Sequence, residues 1–402
     1  MSEKLRVEKA IEALKYGQFV CVVDDLDREN EADLIIAAEK VDPEKIAFMV
    51  KHSSGILCVP MLESRLSELE LPQMVSFNTE SHRTAFTVSI DFKTGTTTGI
   101  SAKDRTKTIL ALIDKKSKPQ DFARPGHIFP LKYAEGGVLK RQGHTEAGVD
   151  LVKLAGLYPA CVISEIINED GSVAAGKAAI EFAEAHNICF LSVADIVRYR
   201  RETEKLIEHV SSARIPTKWG EFTAHIYKSL IDSIEHVALV KGNVRGQEMI
   251  PVRVHSECLT GDVFGSCRCD CGPQLHLAMQ KIEEFGCGVL VYLRGHEGRG
   301  IGLAHKIRAY SLQDQGLDTV EANLQLGFPA DSREYGIGAQ ILADLGVTTI
   351  RLMTNNPKKY GGLQGFDLEI VERIPLVIEP NKENYKYLMT KKAKLGHLIE
   401  QD

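Results

Sequence analysis

Residues 198–217 read RYRRETEKLIEHVSSARIPT, and the reading of this stretch decides how many domains the chain contains. It is dense in charge, shows none of the apolar alternation of a strand, and ends in Ser-Ser and Pro, which is the composition of a boundary. A chain of 402 residues also exceeds what one core usually organises. The reading is therefore two domains, 1–202 and 203–402, with the junction near Glu202 to Ser211.

On the N-terminal side, FVCVV, ADLIIAA, ILCV, AFTVSI and ACVISEII have the look of strands. Between them PEKIAFMVKHS, AKDRTKTILALID and AGKAAIEFAEAH carry helical spacing. On the C-terminal side, WGEFTAHIYKSLI and EHVALVKG alternate like antiparallel strands. PQLHLAMQKIEEFG, HKIRAYSLQDQG and IGAQILADLG then read as helices ending at Gly, with the strand-like GVLVYL after the first and TIRLMT after the last. The expected class is α+β, two mixed α/β-layered domains in tandem.

A hydrophobic content of 44% with 26% charged residues describes a globular protein, and a net charge of -6 speaks against a nucleic-acid polymer as partner. The opening MSEKLRVEKAIEALKYG is charged throughout, unlike a secretory leader, and no apolar run is long enough to cross a membrane. Nine cysteines without regular spacing suggest reduced thiols and a cytoplasmic setting.

Two groups of residues point to chemistry. DDLDRENEADLI crowds carboxylates into a loop at the end of an apolar strand, the kind of place where hard cations such as Mg²⁺ meet substrate oxygens. RQGHT places Arg141 and Gly143 beside His144 and Thr145, a combination suited to a phosphate and a metal. Together with HSSGILCVP, TTTGISAKDR, RPGHIFPL and CVISEIINEDG, these segments resemble 3,4-dihydroxy-2-butanone 4-phosphate synthase over nearly all of residues 3–200. The resemblance implies conversion of D-ribulose 5-phosphate to L-3,4-dihydroxy-2-butanone 4-phosphate and formate with Mg²⁺ or Mn²⁺. It further implies that Glu29 and His144 hold the metal. Substrate would meet Arg28, Glu29, Asp33, Arg141, Gln142, Gly143, His144, Thr145 and Glu165, with His127 and Glu165 essential to catalysis. Cys58 falls either at this site or in the core.

The second group is CLTGDVFGSCRCDC at residues 258–271, where clustered thiols signal zinc in a pattern unlike paired Cys-x-x-Cys structural sites. RVHSE precedes it, and RGHEGRGIG offers Glu297 and Arg299 in a Gly-rich turn suited to an anion. With KIRAYSLQDQGLDTVEAN, DSREYG and LMTNNPKK, these motifs resemble GTP cyclohydrolase II from about Ile215 to Leu398. That resemblance implies GTP opening to 2,5-diamino-6-(5-phosphoribosylamino)pyrimidin-4-one, formate and pyrophosphate, with a catalytic Zn²⁺ in the second domain and Mg²⁺ carried by GTP. Cys258, Cys269 and Cys271 become the zinc ligands. GTP would be held by Arg253, Val254, His255, Ser256, Glu257, Gln274, Glu297, Gly298, Arg299, Thr319, Thr354 and Lys359.

By the same resemblance Asp331 is the proton acceptor and Arg333 the nucleophile at the α-phosphorus. A guanidinium is charged at nearly every pH, so a phosphate clamp is the easier role for Arg333. Cys267 stands where the family carries an apolar residue, which implies packing. A fourth thiolate would close the tetrahedron that the reaction needs open. In tandem the two resemblances are those of bifunctional riboflavin-biosynthesis enzymes and imply a homodimer. The competing readings are one active half with a structural partner, or a zinc-stabilised GTP-binding regulator without turnover.

Overall fold

The computed structural model describes residues 3–24, 28–80, 82–328, 333, 335–356 and 368–396. The chain divides into two units, Met1–Thr203 and Glu204–Asp402.

The first unit is built on a seven-stranded sheet: β1 Val20–Val23, β2 Ala32–Ala37, β3 Leu57–Met61, β4 Ile90–Phe92, β5 Phe122–Lys132, β6 Cys161–Glu165 and β7 Cys189–Ser192, in the order β4-β5-β3-β6-β2-β1-β7. β1 pairs parallel with β7 and β3 with β5, while the remaining neighbours are antiparallel. Alternation along β2 explains why its six residues are all buried: Leu34 and Ile36 enter one core while Ile35 and Ala37 enter the other. Helices α2 (Pro43–His52), α4 (Ala102–Ile113) and α6 (Gly176–Ala185) give Met49, Ile109 and Ala179 to the first core. On the opposite face α1 (Glu3–Lys15), α5 (His144–Leu154) and α7 (Val193–Thr203) give Leu14, Leu151 and Ile196 to the second. The short α3 (Glu63–Glu68) completes the unit. Covering on both faces is what lets the strands read as continuous apolar runs.

The second unit repeats this layering with a different sheet: β8 Ile207–Thr217, β9 Gly220–Ser229, β10 Glu235–Lys241, β11 Ile250–Ser256, β12 Gly288–Leu293, β13 Thr349–Met353 and β14 Glu369–Ile374. Their order is β14-β13-β11-β12-β10-β9-β8. The run from β8 to β12 is antiparallel, and β12, β11, β13 and β14 are parallel. Val252, Val254 and Val291 pack with the helix Gly336–Asp344 on one face, whereas Leu290 and Met353 pack on the other with α9 (Cys271–Phe285), which follows the single-turn α8 (Leu259–Asp262). Among the described residues no helix is long and apolar enough to cross a membrane.

The boundary stretch differs from its sequence reading. Ile207–Thr217 is an eleven-residue strand, the outermost of its sheet, and nearly all of it is exposed. A strand wet on both faces has no reason to alternate, and Pro216 is tolerated at an edge because its missing N–H breaks no internal ladder. β5, which contains the RPGHIFPL segment, also has no strand pattern in the sequence, since Pro125, Gly126 and Pro130 interrupt it.

Candidate active sites

In the first unit the acidic loop after β1 is organised by Asp24. Its buried carboxylate accepts from Arg28 Nη1 at 2.6 Å and from the backbone N–H groups of Glu29 (3.3 Å) and Glu31 (3.0 Å). Arg28 turns its other nitrogen to Glu29 at 2.8 Å. His144 opens α5 behind the N-cap Gly143 and points Nδ1 at Glu29 (3.9 Å) and Asp33 (3.8 Å). Ligand atoms of Asp24, Glu29 and His144 all lie within 4.8 Å of one another. Among the described residues, buried His144 Nε2 and Asp33 Oδ1 have no hydrogen-bond partner. Burial pushes the His144 pKa down, which favours the neutral imidazole a metal requires. Burial, then the charges of Glu165 and Glu29, pushes Asp33 well above the usual carboxylate range. A cation between these groups would relieve that conflict.

Beside this cluster Arg141 is braced on three sides: Nη1 donates to Glu146 at 2.6 Å, and Nη2 to His82 O at 3.1 Å and Thr84 Oγ1 at 3.0 Å. A Cβ on Gly143 would come within 2.6 Å of Arg141 Nη1 and 3.2 Å of Arg28 Nη2, so glycine lets both guanidiniums converge on the start of α5. That helix start is itself anion-favouring. Thr145 is buried there and Gln142 is exposed. Glu165 closes β6 opposite Asp33 and accepts from Ser54 Oγ at 2.6 Å. Cys58 is a core thiol whose pKa is raised by burial and then by Glu165 and Asp33. His127 lies apart from these groups on β5, with Nδ1 at 2.7 Å from Asp91 Oδ2 and its backbone N–H on Asp91 Oδ1 at 3.0 Å.

In the second unit the site forms where β11, β12 and β13 end, the usual position for a ligand above parallel strands. A cleft opens there. β11 sends Arg253 and His255 into it, while alternation turns Val254 into the core. Arg253 donates to Met353 O (3.0 Å) and Gln274 Oε1 (2.8 Å), and its buried Nε has no partner among the described residues. Ser256, Glu257, Gln274, Glu297, Gly298, Arg299, Thr319, Arg333 and Thr354 line the same cleft. The turn carrying Arg299 holds it at φ +69°, a left-handed backbone that a non-glycine residue adopts only under constraint. Asp331 and Lys359 lie outside the described residues.

Cys258, Cys269 and Cys271 meet at the cleft floor with sulfurs within 4.8 Å of one another. Cys258 and Cys269 Sγ are 3.7 Å apart, close to the edge of about 3.8 Å expected of a sulfur tetrahedron with metal–sulfur bonds near 2.3 Å. A Cβ on Gly261 would approach the sulfurs of Cys269 and Cys258 to 2.7 and 3.1 Å, so a side chain there would crowd the space the three thiols enclose. Hydrogen bonds from the Cys269 and Cys271 thiols, with Lys306 alongside, push the Cys258 pKa down. Asp262 fixes the approach by accepting from Cys258 N at 2.9 Å, Tyr292 OH at 2.8 Å and His255 Nε2 at 3.1 Å. Cys267 sits in an exposed turn outside this group, not in a packed position.

Sequence reasoning missed several residues that the fold brings in: Asp24, Glu146 and Asp91 in the first unit, and Asp262, Asp270, Lys306 and Lys391 in the second. Lys391 reaches Asp270, between two of the cysteines, at 2.7 Å from the helix Tyr385–Leu395. Asp24 belongs to the quoted acidic loop and was within reach of the reading. The lysines sit on helices whose sequence carries no sign of burial.

Comparison with known proteins agrees with both halves. Residues 8–199 match the family 3,4-dihydroxy-2-butanone 4-phosphate synthase, and residues 208–375 match GTP cyclohydrolase II. A chloroplastic bifunctional riboflavin biosynthesis protein of Arabidopsis thaliana is 61% identical over 98% of this chain and 73% of its own length. The riboflavin biosynthesis protein RibBA of Bacillus mycoides is 57% identical over 98% of this chain and 99% of its own. Among solved structures, a two-domain 3,4-dihydroxy-2-butanone 4-phosphate synthase from A. baumannii superposes with a TM-score of 0.71 at 37% identity, covering 92% of this chain and 99% of that one. The chain belongs to the bifunctional riboflavin-biosynthesis family, in which a 3,4-dihydroxy-2-butanone 4-phosphate synthase lyase is joined to a GTP cyclohydrolase II hydrolase.

Proposed function

We propose that the two units carry separate active sites, each built from its own part of the sequence, and that the two reactions run independently. In the first, D-ribulose 5-phosphate would place its phosphate between Arg141, Arg28 and Thr145 at the start of α5. Its hydroxyls would face Glu29, Asp33 and His144, with Mg²⁺ or Mn²⁺ held by Glu29 and His144 and with Asp24 in reach. His127 and Glu165 exchange the protons of enolisation; with Nδ1 bonded to Asp91, His127 is left with Nε2 for that work. In the second, Cys258, Cys269 and Cys271 would hold Zn²⁺. GTP, brought with Mg²⁺, would lie along Arg253, Gln274, Arg299, Thr319 and Thr354, with Lys359 and Asp331 completing the set and Arg333 clamping phosphate. When bound, the ions supply Lewis acidity at substrate oxygens in the first site and at the attacking water in the second.

The observation that carries this reading is the three-sulfur cluster at the floor of a cleft rich in Arg and Lys. A homodimer is supported by spacing. β5, with His127, and β2, with Asp33, are separated by β3 and β6, about 14 Å across the sheet at roughly 4.8 Å per strand, which is more than a pentose phosphate spans. His127 from a second copy would close that gap. All nine cysteines are free thiols, in keeping with a reducing compartment such as the cytoplasm.

Formate release tests the proposal, assayed from each substrate alone. Ribulose 5-phosphate should yield formate with Mg²⁺ even after a zinc chelator, and GTP should yield it only before. Tight GTP binding with no formate at all would leave the second unit a regulator.

A further inference from the structure

Lys306 is 7% exposed in the helix Leu303–Asp314 and lies against the cysteine cluster. An ammonium carries three N–H donors. Here they face three acceptors: Cys258 Sγ at 3.2 Å, Thr260 Oγ1 at 2.8 Å and Glu297 Oε1. No donor remains for a ligand in the cleft. Glu297 uses its second oxygen to accept from Leu259 N at 2.7 Å, so Lys306 and Glu297 together enclose residues 258–260. Gly298 makes room for this arrangement, since a Cβ there would meet Lys306 Cβ at 3.1 Å and Ile301 Cγ1 at 2.8 Å. A buried ammonium is costly unless it is paired and fully hydrogen-bonded, and this one is.

We propose that Lys306 is a positioning residue of the cysteine centre: its N–H···S bond fixes the Cys258 sulfur and draws charge from it. Three thiolates around a divalent ion leave one net negative charge, which the ammonium cancels. The sulfur that receives the hydrogen bond donates less to the metal, and its side chain is pinned before the metal arrives. This inference rests on the reading of Cys258, Cys269 and Cys271 as zinc ligands. Glu297 serves the same end through Lys306 and the Leu259 backbone, in addition to its place on the cleft wall.

The test uses the full-length protein as Lys306→Met, which removes donor and charge at similar length, and as Lys306→Arg, which keeps both. Zinc affinity is read by competition with a chromogenic chelator. The sulfur-to-metal charge-transfer band is read after substitution with Co²⁺. Lys306→Met should lose about 10- to 100-fold in zinc affinity and move the cobalt band to lower energy, because Cys258 becomes the better donor. Lys306→Arg should recover part of both. A merely structural lysine would leave the cobalt band in place, so an unmoved band with wild-type zinc retention overturns the proposal while the zinc site stands. Wild-type protein that takes up neither metal would overturn the zinc reading and this inference with it. Should Lys306→Met fail to fold, Lys306→Gln, which keeps an N–H donor without the charge, is judged by the same two readouts.

Discussion

Cys267 and Cys269 are separated by one residue and have opposite surroundings. Taken as an extended strand, CRCDC would put residues 267, 269 and 271 on one side, and the sequence offers no way to choose among them. The chain instead turns at Cys267 and starts α9 at Cys271, which leaves Cys267 exposed and draws Cys269 beneath the cleft. Cys267→Ala should therefore retain stoichiometric zinc and GTP opening. Cys269→Ser should lose both, with formate release from GTP down more than about 100-fold, since a catalytic zinc needs all three of its protein ligands. Zinc content and formate measured on the same preparations decide this, and zinc stripped by Cys267→Ala alone would make the cluster a closed structural site. The three thiols were legible as a group and Glu297 as part of the Gly-rich turn; Asp262 and Lys306 beside them were not, because burial of a helix-borne lysine depends on what the fold packs over it.

At the scale of elements, the apolar runs that become β1, β2, β3 and β6 and the amphipathic helices α2, α4 and α6 were visible because each buries a regular face. β5 and β8 were hidden, one by its prolines and glycine and the other by full exposure. The docking of α1 was also hidden, since it depends on a charged pair far apart in sequence. Arg6 donates to both oxygens of Asp195 at the start of α7, at 3.2 and 2.7 Å, and Ser192 N donates to the same carboxylate at 2.9 Å. Burial alone would raise this carboxyl, but the bonds from Arg6 and Ser192 outweigh it and hold its pKa below the usual aspartate value. A depressed folded pKa means the stabilisation is complete above the unfolded value of about 3.9 and is lost as pH falls through the lower folded one. Asp195→Asn should lower the melting temperature of the first unit by about 2–6 °C at pH 7, from a loss of about 1–2 kcal/mol. The gap to wild type should close on acidification towards pH 3. A gap that is the same at both pH values would show that the charge of Asp195 contributes nothing.

For the whole molecule, length and the charged stretch between the halves suggested two domains, 1–202 and 203–402; the structure divides at Thr203 and Glu204, and the strand that the stretch conceals lies in the second unit. Every side chain of the first cluster comes from residues before Thr203 and every side chain of the second from residues after it. His144→Ala should therefore abolish formate release from ribulose 5-phosphate, by about 100-fold or more, and leave GTP opening within about twofold. Equal loss of both activities in a protein with an unchanged melting profile would show that the sites depend on each other.

Strand β8 has a further consequence for how this protein behaves in concentrated solution. An outermost strand presents a row of backbone donors and acceptors to any extended peptide that drifts alongside, and long exposed edges of this kind seed aggregates. β8 is eleven residues long, but a register shift between His209 and Ser211 twists it, Pro216 removes a donor, and exposed Glu208 and Arg214 place charge along it. These are the features that keep a free edge from recruiting copies of itself. The residues that make the boundary unreadable as a strand are thus the ones that guard it against self-association, and smoothing them into a regular alternating strand would trade solubility for legibility.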